Sequence, residues 1–269
     1  MINLLDEAMQ IKTDGLFLVV LGPSGAGKSH FIGTHPERTL MLYGAGESHG
    51  PASAVKNNKS LVPIAWDRAK DKDGKVVDLD PNKMLKRIKD MLDPEALKKA
   101  GVKCVAIDSL TNLMTDIKKT DVFKQRCTTG KGVYNAFKET EALIEISSGI
   151  IRQLQTLVDF HDIDVVTTLD LQIQSVADDG LILESKPSLP TFGVAKAIVQ
   201  QFPDILMLGR LGEERKPMFQ NAAKAATVST DRETNTVVKY IEYNPRLRGV
   251  NELPETLEAS VKAIMDLKK

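Results

Sequence analysis

Cysteine is nearly absent: Cys104 and Cys127 are the only two among 269 residues. Their separation matches no metal-ligand spacing and no disulfide framework, which excludes a small disulfide-stapled domain and a zinc-ribbon type of site. Cys104 stands in an apolar run and reads as a small buried hydrophobe. The four histidines are scattered and form no cluster in the sequence. No apolar run approaches the roughly 20 residues that a membrane-spanning helix needs. Residues 1–12 contain Asp6 and Glu7 and no apolar core of a signal peptide, so a cytoplasmic protein with no membrane partner is expected. An excess of one charge is missing too. Thirty-six Lys and Arg balance 36 Asp and Glu, so any contact with nucleic acid has to come from a local patch.

What is present is an ordinary core-forming composition, 42% apolar and 27% charged, which fits a folded globular chain rather than a disordered one. Neither an internal repeat nor a low-complexity linker divides it, so a single domain over 1–269 is expected. Strand-like runs alternate with helical patterns, the signature of an α/β fold with a mainly parallel sheet flanked by helices. Strands are predicted at Leu16–Leu21, Thr39–Tyr43, Leu61–Trp66, Val102–Asp108 and Asp164–Leu169. Gly44–Gly50 reads as a flexible loop and Asp71–Lys75 as a solvated turn. Apolar spacing predicts a helix over Lys83–Leu92, interrupted by Asp93-Pro94 and resumed to Ala100. A longer one is predicted over Glu139–His161, with Leu143, Ile146, Ile150, Leu154 and Leu157 on one face. Asp178-Asp179-Gly180 reads as a hairpin tip between Leu171–Val176 and Leu181–Glu184. A helix over Ala195–Phe202, late strands at Ile205–Leu211 and Val237–Tyr243, and a terminal amphipathic helix at about 256–269 complete the pattern.

Residues Gly22, Pro23, Ser24, Gly25, Ala26, Gly27, Lys28 and Ser29 spell G-x-x-x-x-G-K-S, the P-loop pattern. Glycines let consecutive backbone N–H groups turn inward around a polyphosphate, the lysine reaches the terminal phosphates, and the Ser29 hydroxyl is placed to ligate Mg²⁺. An apolar strand precedes the motif and a short helix through His30, Phe31 and Ile32 follows it, which is the context the motif requires. His30 therefore joins the nucleotide-binding set, and ATP with Mg²⁺ are the expected ligands. Val102–Asp108 is an apolar strand that delivers an acid at its carboxyl end. Asp108 suits the Walker B role of holding the metal, usually through water. The alternative is an N-cap for a helix starting at Ser109.

Asp108-Ser109-Leu110-Thr111 resembles the aspartate–serine Walker B of RecA-like ATPases, whereas AAA+ proteins usually place a glutamate after that aspartate. From Leu16 to Val250 the chain resembles phage-encoded RecA-like nucleotide-binding proteins of the core-only type, some of which are single-strand annealing recombinases. That resemblance implies further roles. Glu47, in the loop after the strand that follows the P-loop helix, matches the family's catalytic glutamate; a solvated loop carboxylate is the alternative. Val165–Thr168 matches the sensor strand, with Thr168 as the sensing residue and Asp170 or Gln172 behind it. At Asp170 the family often carries histidine. Asn244–Gly249 resembles a late basic motif, from which Arg246 or Arg248 would reach a neighbouring subunit's nucleotide, unless it is a solvated basic turn. A homo-oligomer, ring or filament, and the host cytoplasm follow from the same likeness.

Between 118 and 138 six cations, Lys118, Lys119, Lys124, Arg126, Lys131 and Lys138, are interleaved with Phe123, Tyr134 and Phe137. Cations track phosphates and aromatic faces stack on unpaired bases, so the mixture suits single-stranded DNA. Tyr134 is the expected stacking residue. The alternative is a basic surface loop whose Phe123 and Phe137 point into the core. The chain is thus expected to be an ATPase acting on single-stranded DNA in phage recombination or replication. A hexameric helicase-type or packaging motor and a nucleotide-gated scaffold for a protein partner are the rivals.

Overall fold

The apolar run after Gly15 forms strand β1 (Phe17–Gly22), all of it buried. The computed structural model describes residues 15–22, 24–176, 182–190, 192–211, 216–220, 225–231 and 236–241. After β1 come α1 (Lys28–Gly33), β2 (Thr39–Tyr43), a 3-10 turn at Ala45–Glu47, α2 (His49–Asn57), β3 (Val62–Ala65) and a small hairpin of β4 (Arg68–Lys70) and β5 (Val76–Asp78). There follow α3 (Pro81–Met91), α4 (Pro94–Lys99), β6 (Cys104–Asp108), α5 (Leu110–Ile117), α6 (Asp121–Arg126), a 3-10 turn at Ala136–Lys138 and α7 (Glu139–His161). The remaining elements are β7 (Asp164–Val176), β8 (Ile182–Pro187), α8 (Phe192–Val199), β9 (Asp204–Leu211), β10 (Lys216–Gln220), β11 (Ala225–Asp231) and β12 (Thr236–Ile241).

The protein is α/β. An eight-stranded sheet runs β10-β9-β1-β7-β6-β2-β3, with β8 pairing the far part of β7. Every pairing from β9 to β3 along that path is parallel. The late part of the chain is antiparallel, in the β9–β10 pair and in a separate two-stranded sheet of β11 and β12. Both faces of the parallel sheet are covered, which is why its strands read as continuous apolar runs rather than alternating ones. Phe17, Val19 and Leu21 join a core with Ile107, Val165 and residues of α3, α5, α7 and α8. Leu18 and Val20 face the other way, onto Phe31 and Ile32 of α1 and Ala54 of α2.

Local chemistry sets the helix starts. Asp80 and Asp93 cap α3 and α4 by accepting from the Asn82 and Ala96 backbone N–H groups, each with proline next in line. At the base of the sheet, buried Asp164 accepts from Leu16 N–H at 2.9 Å and lies 3.2 Å from His35 Nε2. That contact ties β7 to the start of β1 and to the segment leaving α1, and so fixes where the P-loop helix sits.

Several expectations need correction. Gly44–Gly50 is not a flexible loop: it contains the 3-10 turn and the start of α2. Asp71–Lys75 is a turn, but one that closes the β4–β5 hairpin, with Gly74 at φ 78°. Leu171–Val176 does pair antiparallel with β8 as one hairpin arm, but it is the far part of β7, which runs unbroken from Asp164 to Val176. The late helix covers Phe192–Val199 rather than Ala195–Phe202. Pro23, the Asp178-Asp179-Gly180 tip, the Gln172 side chain, Arg246, Arg248 and the helix expected at 256–269 lie outside the described residues. Among the described residues no helix is long and apolar enough to cross a membrane.

Candidate functional site

Parallel register brings the sequence motifs to one edge. Gly22 at the end of β1 is level with Asp170 on β7, and Tyr43 at the end of β2 is level with Asp108 on β6. The loop that leaves each strand therefore opens on the carboxyl side of the sheet, where ligands bind in open α/β folds. β7 lies between β1 and β6. Thr168 and Asp170, two residues apart on that central strand, share one face.

A cavity of about 560 Å³ opens there, lined by Ser24, Gly25, Gly27, Lys28, Ser29, His30, Glu47, His49, Gly50, Ser53, Asp108, Ser109 and Asp170. Gly25 and Gly27 have φ of 76° and 96°, a backbone region that side chains resist, so glycine is required for the loop to wrap as it does. Gly27 also caps α1 without a side-chain hydrogen bond. Lys28 is buried; its Nζ donates to the Gly22 carbonyl at 2.9 Å and pairs with Asp170 Oδ1 at 2.8 Å.

Asp108 is the hub of the site. Its Oδ2 accepts from Ser29 Oγ at 2.6 Å and its Oδ1 from Thr168 Oγ1 at 2.5 Å. The N-cap of α5 is Ser109, which accepts from Asn112 N–H, so Asp108 is free of the capping role that the sequence left open. The Asp108–Ser109 peptide is cis. Gly50 of α2 packs directly on the hydroxyl–carboxylate pair: a Cβ there would lie 2.5 Å from Ser29 Oγ and 3.2 Å from Asp108 Oδ2.

Glu47 lines the same cavity from the 3-10 turn. Burial pushes its carboxyl above the usual range. The carboxylates of Asp108 and Asp170 push the same way, against the pull of the Asn112 amide and of Lys28. Asn112 Nδ2 is itself buried and falls short of hydrogen-bond geometry with any partner among the described residues. The turn is anchored from behind. Asp67 accepts from Ala45 N–H at 3.0 Å, and fully buried Trp66 packs against Gly44 while donating to Asp116 at 2.9 Å.

Sequence reasoning thus named Lys28, Ser29, Asp108, Glu47 and Thr168; the fold brings the first four around one cavity and places buried Thr168 behind Asp108. It missed the approach of Gly50, the anchoring of the turn by Asp67, and Asn112 behind Glu47. Asp170 was named only as a sensing residue behind Thr168, and its pairing with Lys28 was not read.

The donors in the Ser29–Asp108 pair are oxygens, a hard set that suits Mg²⁺ rather than a soft metal. Among the described residues no group of three or more His, Cys, Asp or Glu could hold a metal by itself. Partial coordination of that kind suits an ion that keeps waters and takes substrate oxygens.

The basic segment is built differently from a simple loop. It spans α6, an isolated bridge between Thr128 and Tyr134, and the second 3-10 turn. Lys118 pairs with Glu139 at 2.7 Å, Lys119 with Asp116 at 2.7 Å, Lys124 with Asp121 at 3.8 Å, and Arg126 with Glu145. Lys131 and Lys138 are exposed and form no ion pair with the described residues. Tyr134 is half exposed and donates to Glu139 at 2.8 Å. The two phenylalanines part company: Phe123 is 2% exposed in the core, whereas Phe137 is 97% exposed.

No protein-family model matches this chain, and a comparison with curated proteins finds no match either.

Proposed function

We propose that the chain is a Mg²⁺-dependent RecA-like P-loop ATPase acting on single-stranded DNA in phage recombination or replication. The observation that carries this reading is the convergence of Lys28, the Ser29–Asp108 pair and Glu47 on one cavity at the carboxyl end of the parallel strands, with buried Thr168 bonded to Asp108 from behind. Lys28 and the backbone amides of 25–29 hold the phosphates. Ser29 and Asp108 hold the metal, and Thr168 fixes the Asp108 carboxylate that does so. Bound Mg²⁺ supplies charge neutralisation between the terminal phosphates. Glu47 orients a water and accepts its proton. Its raised affinity for protons suits a base, and the anchored turn keeps it in place. Arg246 or Arg248 of one copy reaches the nucleotide of the next in a homo-oligomer.

The DNA part rests on Lys131, Lys138, Tyr134 and exposed Phe137. Lys118, Lys119, Lys124 and Arg126 spend their charge on neighbouring carboxylates. That neutralisation favours a second reading, a nucleotide-gated scaffold that docks a protein partner on Val133, Tyr134 and Phe137. ATP hydrolysis with and without single-stranded DNA, for wild type and Lys28→Ala, separates the two. Stimulation by DNA that Lys28→Ala abolishes supports the first reading. Hydrolysis indifferent to DNA moves the assignment to the scaffold, and no hydrolysis by wild type removes the ATPase.

A further inference from the structure

Asp170 has no part in the reading above, yet its backbone is held on both sides and its carboxylate pairs with Lys28. Its backbone N–H donates to Thr111 Oγ1 at 3.1 Å and its carbonyl accepts from Ser188 N–H at 2.7 Å. Its strand position is level with Gly22, whose carbonyl is the other acceptor named for Lys28. The carboxylate is thereby aimed at the Lys28 ammonium from a fixed backbone. The side chains of the pair are 8% and 27% exposed, so solvent screens it little.

We propose that Asp170 is a counter-ion latch on Lys28 that a nucleoside triphosphate must displace, so that Asp170 sets the affinity of the site for its substrate. The proposal rests on the ATP reading of the cavity. Lys28 has three N–H donors; one goes to the Gly22 carbonyl, and bonds to both the β- and the γ-phosphate would take the other two, including the one now given to Asp170 at 2.8 Å. Binding therefore exchanges one anion for another on Lys28. Asp170, released, is left facing the phosphates as a like charge unless it swings away. The apparent affinity falls by the fraction of molecules in which the latch is open. Glu47 carries the same charge in the same cavity and forms no ion pair with Lys28, which makes it the natural control.

The test is titration of a fluorescent ATP analogue with Mg²⁺ into wild type, Asp170→Asn, Asp170→Ser, Glu47→Gln and Lys28→Ala, each checked for folding by circular dichroism. A latch closed in nine molecules of ten gives Asp170→Asn an affinity about tenfold above wild type. Asp170→Ser should gain likewise, and either variant alone decides the matter should the other misfold. Glu47→Gln should gain clearly less. Equal gains from Glu47→Gln and Asp170→Asn would reduce the effect to general repulsion and overturn the latch. Unchanged or weaker binding by the Asp170 variants overturns it as well. Wild type and Asp170 variants that all fail to bind, or binding that Lys28→Ala leaves intact, would instead remove the ATP reading, and the latch with it.

Discussion

Replacing Gly50 by alanine sets two physical effects against each other. Helix propensity alone says that Gly50→Ala, at the second residue of α2, stabilises by up to about 1 kcal/mol. The structure says otherwise, because the new methyl would stand 2.5 Å from Ser29 Oγ and 3.1 Å from Ser29 Cβ. The hydroxyl can evade it only by rotating off Asp108, to which it is bonded at 2.6 Å. Losing a hydrogen bond to a charged group costs about 1.5–3 kcal/mol. Shifting α2 instead costs about 1–3 kcal/mol in overpacking. Either route matches or exceeds the propensity gain, leaving a net destabilisation of about 0–2 kcal/mol. At about 2–4 °C per kcal/mol for a chain of this size, the melting temperature drops by up to about 8 °C. Gly46→Ala is the control, since nothing lies within 4 Å of a Cβ there. Calorimetric melting of the three proteins reads the stability. The Mg²⁺ concentration needed for half-maximal ATP hydrolysis reads the site, and Gly50→Ala should raise it several-fold as Ser29 is displaced. A Gly50→Ala protein that melts above wild type with an unchanged Mg²⁺ requirement refutes the reasoning.

Thr168→Val keeps the buried shape but removes the hydroxyl from Asp108; it should cost about 1–3 kcal/mol in urea unfolding. The same change should lower kcat about tenfold or more with little change in nucleotide affinity, and a selective loss of binding would contradict the sensor role. Because burial raises the Glu47 carboxyl and a base must be ionised, kcat/KM should fall on the acid side at a pH above the ordinary carboxylate range. Glu47→Gln should remove that limb together with most of the hydrolysis while nucleotide still binds, and a limb at the ordinary carboxylate position would exclude Glu47 as the base. For DNA, fluorescence anisotropy of a labelled single strand across salt concentrations should show Lys131→Ala and Lys138→Ala each lowering the salt slope by about 0.7. Lys119→Ala and Lys124→Ala should lower it less, since Asp116 and Asp121 already neutralise them; equal effects at all four positions would mean that the ion pairs do not matter.

Much of the fold could be read locally. β2 and α7 have the predicted bounds, because each is a self-contained pattern: a short apolar run in one case and a 3.6-residue stripe in the other. The break at Asp93-Pro94 was legible too, and there Asp93 caps α4, whereas the Asp80-Pro81 start of α3 lies ahead of the predicted Lys83. Reading failed where the reason for a residue lies across space. Gly46 and Gly50 look like breakers, and α2 was missed. Gly50 is there because Ser29 and Asp108 press against it, from positions 21 and 58 residues away in the chain. Phe123 and Phe137 are indistinguishable in the sequence, yet one faces the core and the other faces water.

The same division holds at the site. The Gly22–Ser29 motif is contiguous, and its turn rests on local glycines at 25 and 27, so the sequence by itself made it legible. It also determined that β6 ends in an acid. The sequence could not decide what that acid does, because helix capping and metal holding place the same residue at the same strand end. Tertiary structure removed the capping role by giving the cap to Ser109, and it placed both Asp108 oxygens on Ser29 of α1 and Thr168 of the neighbouring strand β7. Asp170 shows the same thing most sharply. Its strand position was readable, but its contact with Lys28 exists only because β7 lies beside β1, and strand order is a property of the whole sheet rather than of any segment.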